Sequence, residues 1–180
     1  YSTMGYEIAA GLGAKMACPD REIYVMVGDG NYLMNNHEII TAVQERVKMV
    51  IILLDNHGFK SIGSLSEAVG SQRFGTSYRY RNDASGDLDG ANLPVDFAMN
   101  AQSLGAHVIE VDSIASLTRA LHDTKAIDRT TVIVIETDGV KGIEGYAWWE
   151  VAVAEVSEMP TVQKAYAEYV EQKKKQRYYL

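Results

Sequence analysis

One cysteine, Cys18, occurs in 180 residues. A single thiol builds neither a disulfide framework nor a cysteine-ligated metal cluster, and its simplest home is a reducing compartment such as the cytoplasm. Positive charge is also scarce. The 17 Lys and Arg are outnumbered by 24 Asp and Glu, for a net charge of −7. That balance argues against a nucleic-acid partner, whose phosphate backbone needs a cationic surface. No apolar run reaches the roughly 18–20 residues of a membrane span, and no signal peptide opens the chain, so no membrane partner is expected. Internal repeats and a GxGxxG dinucleotide fingerprint are absent. What remains is an ordinary globular composition, 47% hydrophobic and 23% charged, enough for one core and one domain.

Apolar runs alternate with helical patterns, the mark of an α/β fold with a mainly parallel sheet between helical layers, α/β/α. Ile23–Val27, Met49–Leu54, His107–Val111 and Thr131–Ile135 read as buried strands. Between them lie helical spacings: Ile8, Leu12 and Met16; Ile39, Ile40, Val43 and Val47; Phe97, Ala98, Ala101 and Leu104; Ile114, Leu117, Leu121 and Thr124. Residues 58–93 are rich in Gly, Ser, Asp and Arg without a clear period, and read as one long functional loop. The expected division is a ligand-binding domain over 1–140 and a C-terminal extension over 141–180. The extension holds Trp148 and Trp149 and a helical spacing through Val162, Ala165, Tyr166, Tyr169 and Val170, and ends in a solvated basic run.

The most informative segment is Val27-Gly28-Asp29-Gly30-Asn31, which leaves the first strand and enters a helix. Open parallel sheets bind ligands beyond the carboxyl ends of their strands. Gly28 and Gly30 are expected to allow a tight turn with φ values that other residues resist, and close approach to backbone N–H groups that attract phosphate. Asp29 would then stand beside the phosphate, and two negative groups together require a cation, most naturally Mg²⁺. The second strand ends in Asp55-Asn56-His57-Gly58. Asn56 follows Asp29 by 27 positions, one helix plus one strand, so a βαβ unit brings both to the same end of adjacent strands. The Asn56 amide oxygen and the Gly58 carbonyl complete three protein ligands with Asp29.

Gly28-Asp29-Gly30 followed at this distance by Asn56 resembles the motif of thiamine-diphosphate-dependent enzymes. That motif is Gly-Asp-Gly and, some two dozen residues later, a pair of asparagines. Here Asp55 replaces the first asparagine, while the ligand position, Asn56, is kept. Thr3-Met4-Gly5-Tyr6 resembles the opening of this domain in acetolactate-synthase-like members, where a bulky apolar residue wedges between the two thiamine rings. Met4 matches that residue. A more extensive resemblance, to the trihydroxycyclohexanedione hydrolase family of inositol catabolism, is carried by several blocks. These are Asn56-His-Gly-Phe59, Gly70-Ser-Gln-Arg-Phe-Gly-Thr76, Tyr78-Arg-Tyr-Arg-Asn82, Ala147-Trp-Trp149 and Val153-Ala-Glu-Val-Ser157.

That resemblance implies thiamine diphosphate and Mg²⁺ as cofactors, with Met4, Gly28, Asp29, Gly30, Asn31, Asn56 and Gly58 around them. It implies a hydrolase that breaks a carbon–carbon bond in a cyclic polyhydroxy diketone, the cofactor acting as electron sink. The glutamate that activates the cofactor in such enzymes lies on a separate pyrimidine-binding domain, usually of the partner subunit in a homo-oligomer. No segment here resembles its context, and Glu7 and Glu38 read as helix residues facing solvent or a helix N-terminus. With Tyr1 only three positions before Met4, the chain is expected to be a fragment of such an enzyme. His57, Gln72 and Arg73 form a candidate substrate loop able to close as a lid. The same arginine could equally be solvated. His37, His107 and His122 read as surface or structural residues. Two other readings stay open: the same domain of an acetolactate-synthase-like enzyme or 2-oxo acid decarboxylase, and a non-catalytic domain kept for assembly.

Overall fold

The computed structural model describes residues 3–139 and 152–177. Four strands, β1 (Tyr24–Gly28), β2 (Val50–Asp55), β3 (His107–Val111) and β4 (Thr131–Glu136), form one sheet in the order β1-β2-β4-β3. All pairs are parallel. They coincide with the four apolar runs to within a residue at either end. The register sets Gly28 beside Leu54 and Leu54 beside Ile135, so the carboxyl ends of β1 and β2 lie next to each other.

Among the described residues seven α-helices accompany the sheet: α1 (Glu7–Ala17), α2 (Asp29–Asn35), α3 (Glu38–Gln44), α4 (Lys60–Ala68), α5 (Phe97–Ser103), α6 (Ile114–Asp123) and α7 (Pro160–Lys173). Strand side chains alternate between faces. Val25, Val27, Ile51, Leu53 and Val132 point to one side and pack with Ile8, Leu12, Tyr32, Ile39, Phe97 and Ala101, from α1, α2, α3 and α5. Val50, Ile52, Ile133, Ile135 and Val111 point to the other, against Leu117, Ala120 and Leu121 of α6. Three layers result, as the sequence pattern requires. Ile51, Leu53 and Ile133 are wholly buried, and truncating any one to alanine would cost about 2–5 kcal/mol.

Helix starts are written locally. The Asp96 carboxylate accepts from Met99 N at 2.7 Å and caps α5, and Ser113 with Ser116 forms a capping box on α6. Six positions read as core are on the surface instead: Met16 and Ile114 at helix ends, Ile40 and Val43 of α3, and Tyr24 and Met26, the residues of the edge strand β1 that point away from α1 and α2. The stretch 58–93 is not one loop, because it contains α4. Serines dilute that helix's apolar positions, and Gly63, which sequence propensity reads as a breaker, is there for space. A Cβ on it would meet Thr76 Oγ1 at 2.7 Å.

After α4 the chain folds back on itself through Tyr80 N to Ala91 O, 3.0 Å, and Leu93 N to Tyr78 O, 2.8 Å. The start of α7 sits against the end of α4, where Thr161 Oγ1 donates to Gly70 O at 2.6 Å. Trp148, Trp149 and the first part of the extension lie outside the described residues. Among the described residues, no helix is long and apolar enough to cross a membrane.

Candidate functional site

The centre of the site is Asp29, the first residue of α2 and 0% exposed. Its Oδ1 accepts from Gly30 N at 2.8 Å. Its Oδ2 accepts from Asn56 N at 3.1 Å and from Gly58 N at 2.8 Å. A carboxylate offers about four lone-pair positions. Three N–H groups therefore leave one, on Oδ1. Burial pushes the Asp29 carboxyl above its ordinary range. The N–H groups of Gly58, Gly30 and Asn56 oppose that shift, and the neighbouring Asp55 adds to it. A cation at the remaining lone pair relieves the same strain.

Two further oxygens are available beside it. Asn56 Oδ1 is shielded from water and has no hydrogen-bond partner. Gly58 pairs with Ser77 in an antiparallel bridge whose bonds are made by its neighbours: Phe59 N to Thr76 O, 2.8 Å, and Tyr78 N to His57 O, 2.9 Å. The Gly58 carbonyl is thus left out of the ladder. One carboxylate, one amide and one carbonyl make a hard oxygen set suited to Mg²⁺. Among the described residues no group of three or more His, Cys, Asp or Glu gathers, so a zinc-type site is not built there.

The glycines act differently from expectation. Gly28 has φ −77° and ψ 157°, which any residue adopts, and a Cβ on it would meet nothing within 4 Å. Gly30 has no positive φ either. It is needed because the Phe59 ring lies 2.5 Å from where its Cβ would be. Left-handed strain sits instead at Gly58, φ +144°, and at His57, φ +61°. A Cβ on Gly58 would fall 2.4 Å from Thr76 O. His57 is held in its unusual conformation by its N–H donating to Asp55 Oδ1 at 3.0 Å.

Met4, at 36% exposure, is not packed into the core. It lies three residues before α1, whose first residue, Glu7, accepts a hydrogen bond from Asn31 Nδ2. Glu7 and Asn31 are therefore tied to the same end of the sheet as Asp29. Of the two settings expected for Glu7, solvent or a helix N-terminus, the second holds: it is in the first turn of α1 and partly buried against Asn31 in the first turn of α2. Glu38 lies 3.5 Å from the exposed His37, away from these contacts.

His57, Gln72 and Arg73 come together around a cavity of about 520 Å³, shared with Asn56, Lys60 and Arg79. The His57 ring is bonded to Glu136 through Nε2 at 2.8 Å. Arg73 is clasped by Glu67, at 2.8 and 2.6 Å from Nε and Nη2. A wider hollow of about 880 Å³ opens beyond β2, β4 and β3, and is lined by Asp55, Asp96, Glu110, Asp112, Glu136 and Asp138. That wall repels a diphosphate. His107 contacts Arg129 at 3.5 Å, and His122 is exposed beside Asp123.

The arrangement can hold a divalent cation and, with it, an anion of phosphate type. A sequence model of the family described as "Thiamine pyrophosphate enzyme, C-terminal TPP binding domain" matches residues 1–135. The chain belongs to this family. The family's description names thiamine pyrophosphate as what this domain binds.

Among curated relatives, it is 43% identical over 180 residues to 3D-(3,5/4)-trihydroxycyclohexane-1,2-dione hydrolase 2 of Bacillus cereus strain ZK / E33L. That alignment covers 99% of this chain and 28% of the relative. It is 45% identical over 167 residues to a hydrolase of the same name from B. cereus strain AH820, covering 92% and 26%. The chain thus spans about a quarter of the length of these relatives. Among solved structures, a thiamine diphosphate-dependent 4-hydroxybenzoylformate decarboxylase of Rhodococcus jostii RHA1 superposes with TM-score 0.60 at 25% identity, over 75% of this chain and 23% of that one. Benzoylformate decarboxylase of Polynucleobacter necessarius, at TM-score 0.55 and 19% identity over 74% and 23%, shares the fold.

Two supports of the thiamine-diphosphate-binding domain stand in the quoted sequence blocks, but the sequence assigned them no role. Phe59 backs Gly30, and Tyr78 stands edge-on to Phe59 with centroids 5.9 Å apart. Its hydroxyl is shielded and unpartnered, and burial, then the charges of Asp29 and Asp55, push it up to about 12. No spacing signals either residue, since the Tyr78 segment reaches the site only through the fold-back after α4.

Proposed function

We propose that this domain holds thiamine diphosphate through one Mg²⁺ bound by Asp29, Asn56 and the Gly58 carbonyl, and serves a hydrolase that opens a cyclic polyhydroxy diketone in inositol degradation. The observation that carries the metal site is the buried Asp29 carboxylate, with one lone pair left beside the unpartnered Asn56 oxygen. The identity of 43–45% to the named hydrolases supports the reaction, and outweighs the 25% likeness to a decarboxylase. When bound, thiamine diphosphate supplies an electron sink for breaking a bond next to a carbonyl.

The chain's own residues do the holding. Gly28 lets the diphosphate approach the backbone, Gly30 makes room for the Phe59 ring behind it and offers its backbone to the cofactor, Asn31 adds an amide, and Met4 supports the bent cofactor. His57, Gln72 and Arg73, around the 520 Å³ cavity, meet the hydroxyl and keto groups of the substrate. The remaining walls, with the activating glutamate, come from a pyrimidine-binding domain of a partner subunit in a cytoplasmic homo-oligomer. The chain divides near residue 140 into this domain and a C-terminal extension.

The test is calorimetry on the intact protein, with thiamine diphosphate and Mg²⁺, paired with an assay of diketone loss. Wild type binds and hydrolyses, and Asp29→Ala does neither. Binding that survives in Asp29→Ala overturns the metal site. Turnover of a 2-oxo acid to CO₂ in place of ring opening overturns the substrate.

A further inference from the structure

Glu7 is a carboxylate placed where a diphosphate is proposed to bind, and the activity has no stated use for it. It opens α1, is partly buried, and its Oε1 accepts from Asn31 Nδ2 across 24 residues of sequence. Its other oxygen, Oε2, is shielded from water with no partner. An unpaired carboxylate oxygen out of water is costly, and such a cost persists where the group is used.

The pairing has a definite polarity. A carboxylate only accepts, so it can face the nitrogen of the Asn31 amide and not the oxygen. Glu7 therefore decides which way the Asn31 amide is turned. Asn31 adjoins Gly30 and Asp29, so the orientation is set at the rim of the proposed cofactor site. Gly5 brings α1 close enough for this contact. At φ +82°, a Cβ there would meet Met34 Cβ of α2 at 2.9 Å.

We propose that Glu7 is a positioning residue: it holds one Nδ2 hydrogen of Asn31 and so fixes the amide with its second Nδ2 hydrogen free to donate to a phosphate oxygen of thiamine diphosphate. It acts through Asn31 and takes no part in activating the cofactor. The inference rests on the proposed cofactor site.

The experiment measures the dissociation constant of thiamine diphosphate at saturating Mg²⁺ by calorimetry on the intact protein, with the melting temperature of the cofactor-free protein beside it. Glu7→Ala is expected to weaken binding at least tenfold. Glu7→Gln keeps an acceptor oxygen and is expected to stay within about threefold of wild type. Asn31→Asp sets two carboxylates face to face, and is expected to lose binding and melt earlier. Adding Glu7→Gln to Asn31→Asp reverses the hydrogen bond, and is expected to restore the melting temperature without restoring affinity.

Wild-type affinity in Glu7→Ala overturns the proposal, as does recovery of affinity in the double variant, since either makes the pair purely structural. If Glu7→Ala does not fold, the comparison of Asn31→Asp with the double variant decides alone. Failure of the wild type itself to bind thiamine diphosphate would overturn the proposed cofactor site, a separate result.

Discussion

Gly28 and Gly58 bracket the proposed metal site, and alanine at each should have opposite consequences. At Gly58, alanine would occupy φ +144°, a backbone strain on the order of 1–3 kcal/mol. Its methyl would sit 2.4 Å from Thr76 O and 2.7 Å from Ser77 Cα, so residues 76–78 must retreat. That endangers the 2.8 Å bond from Phe59 N and the 2.9 Å bond to His57 O, each worth about 1 kcal/mol net. Together the loss is roughly 3–5 kcal/mol, which lowers the melting temperature by about 6–20 °C for a domain of this size. At Gly28 the methyl would meet nothing within 4 Å, at ordinary dihedrals. Its effect on the cofactor-free fold should lie between zero and about 1 kcal/mol of stabilisation. The methyl would nevertheless stand where a diphosphate must touch the backbone, so affinity should fall at least tenfold. Thermal melts by circular dichroism, followed by calorimetry with thiamine diphosphate and Mg²⁺, read both effects on the intact protein. The reasoning is refuted if Gly58→Ala melts within about 2 °C of wild type, or if Gly28→Ala melts as early as Gly58→Ala.

Three further outcomes are expected. Tyr78→Phe removes a shielded hydroxyl with no partner, so chemical denaturation should show equal or greater stability; a loss above about 1 kcal/mol would reveal a partner for that hydroxyl. Burial pushes the Tyr32 and Tyr78 hydroxyls up to about 12, whereas an unfolded tyrosine ionises near 10. The unfolded chain thus loses these protons first. Stability is fully present below pH 10 and declines as pH rises toward 12. Phenolate absorbance followed against pH should show at least two late-titrating tyrosines, and titration of every tyrosine together near 10 would contradict their burial. Asp55→Ala removes the acceptor that holds His57 at φ +61° and should cost about 1–2 kcal/mol in denaturant melts. Adding His57→Gly should recover part of that loss, and no recovery would show that the strain lies elsewhere.

The sheet was legible because its central strands β2 and β4 are continuous apolar runs covered on both faces, whereas the edge strand β1 is covered on one face only, which its apolar run did not reveal. The 27-residue interval from Asp29 to Asn56 was legible as a parallel crossover, although the connection holds two short helices, α2 and α3, where one was expected. Contacts through space were hidden. Gly30 reads as a turn glycine, yet its reason is the Phe59 ring, 29 residues away in sequence. Glu7 has the look of a first-turn acid, and only the approach of α1 to α2 pairs it with Asn31. The helix α4 was concealed by serines, whose side chains compete with helical hydrogen bonding and lower propensity. Its register is set instead by Gly63 fitting under Thr76.

The central claim is that Asp29, Asn56 and the Gly58 carbonyl hold one divalent cation that anchors a diphosphate. The most direct measurement is electron paramagnetic resonance of Mn²⁺ titrated into the intact protein with thiamine diphosphate present. The account predicts one tightly held Mn²⁺ per chain, displaced by Mg²⁺ and lost in both Asp29→Ala and Asn56→Ala. Tight Mn²⁺ binding unchanged in either variant would contradict it.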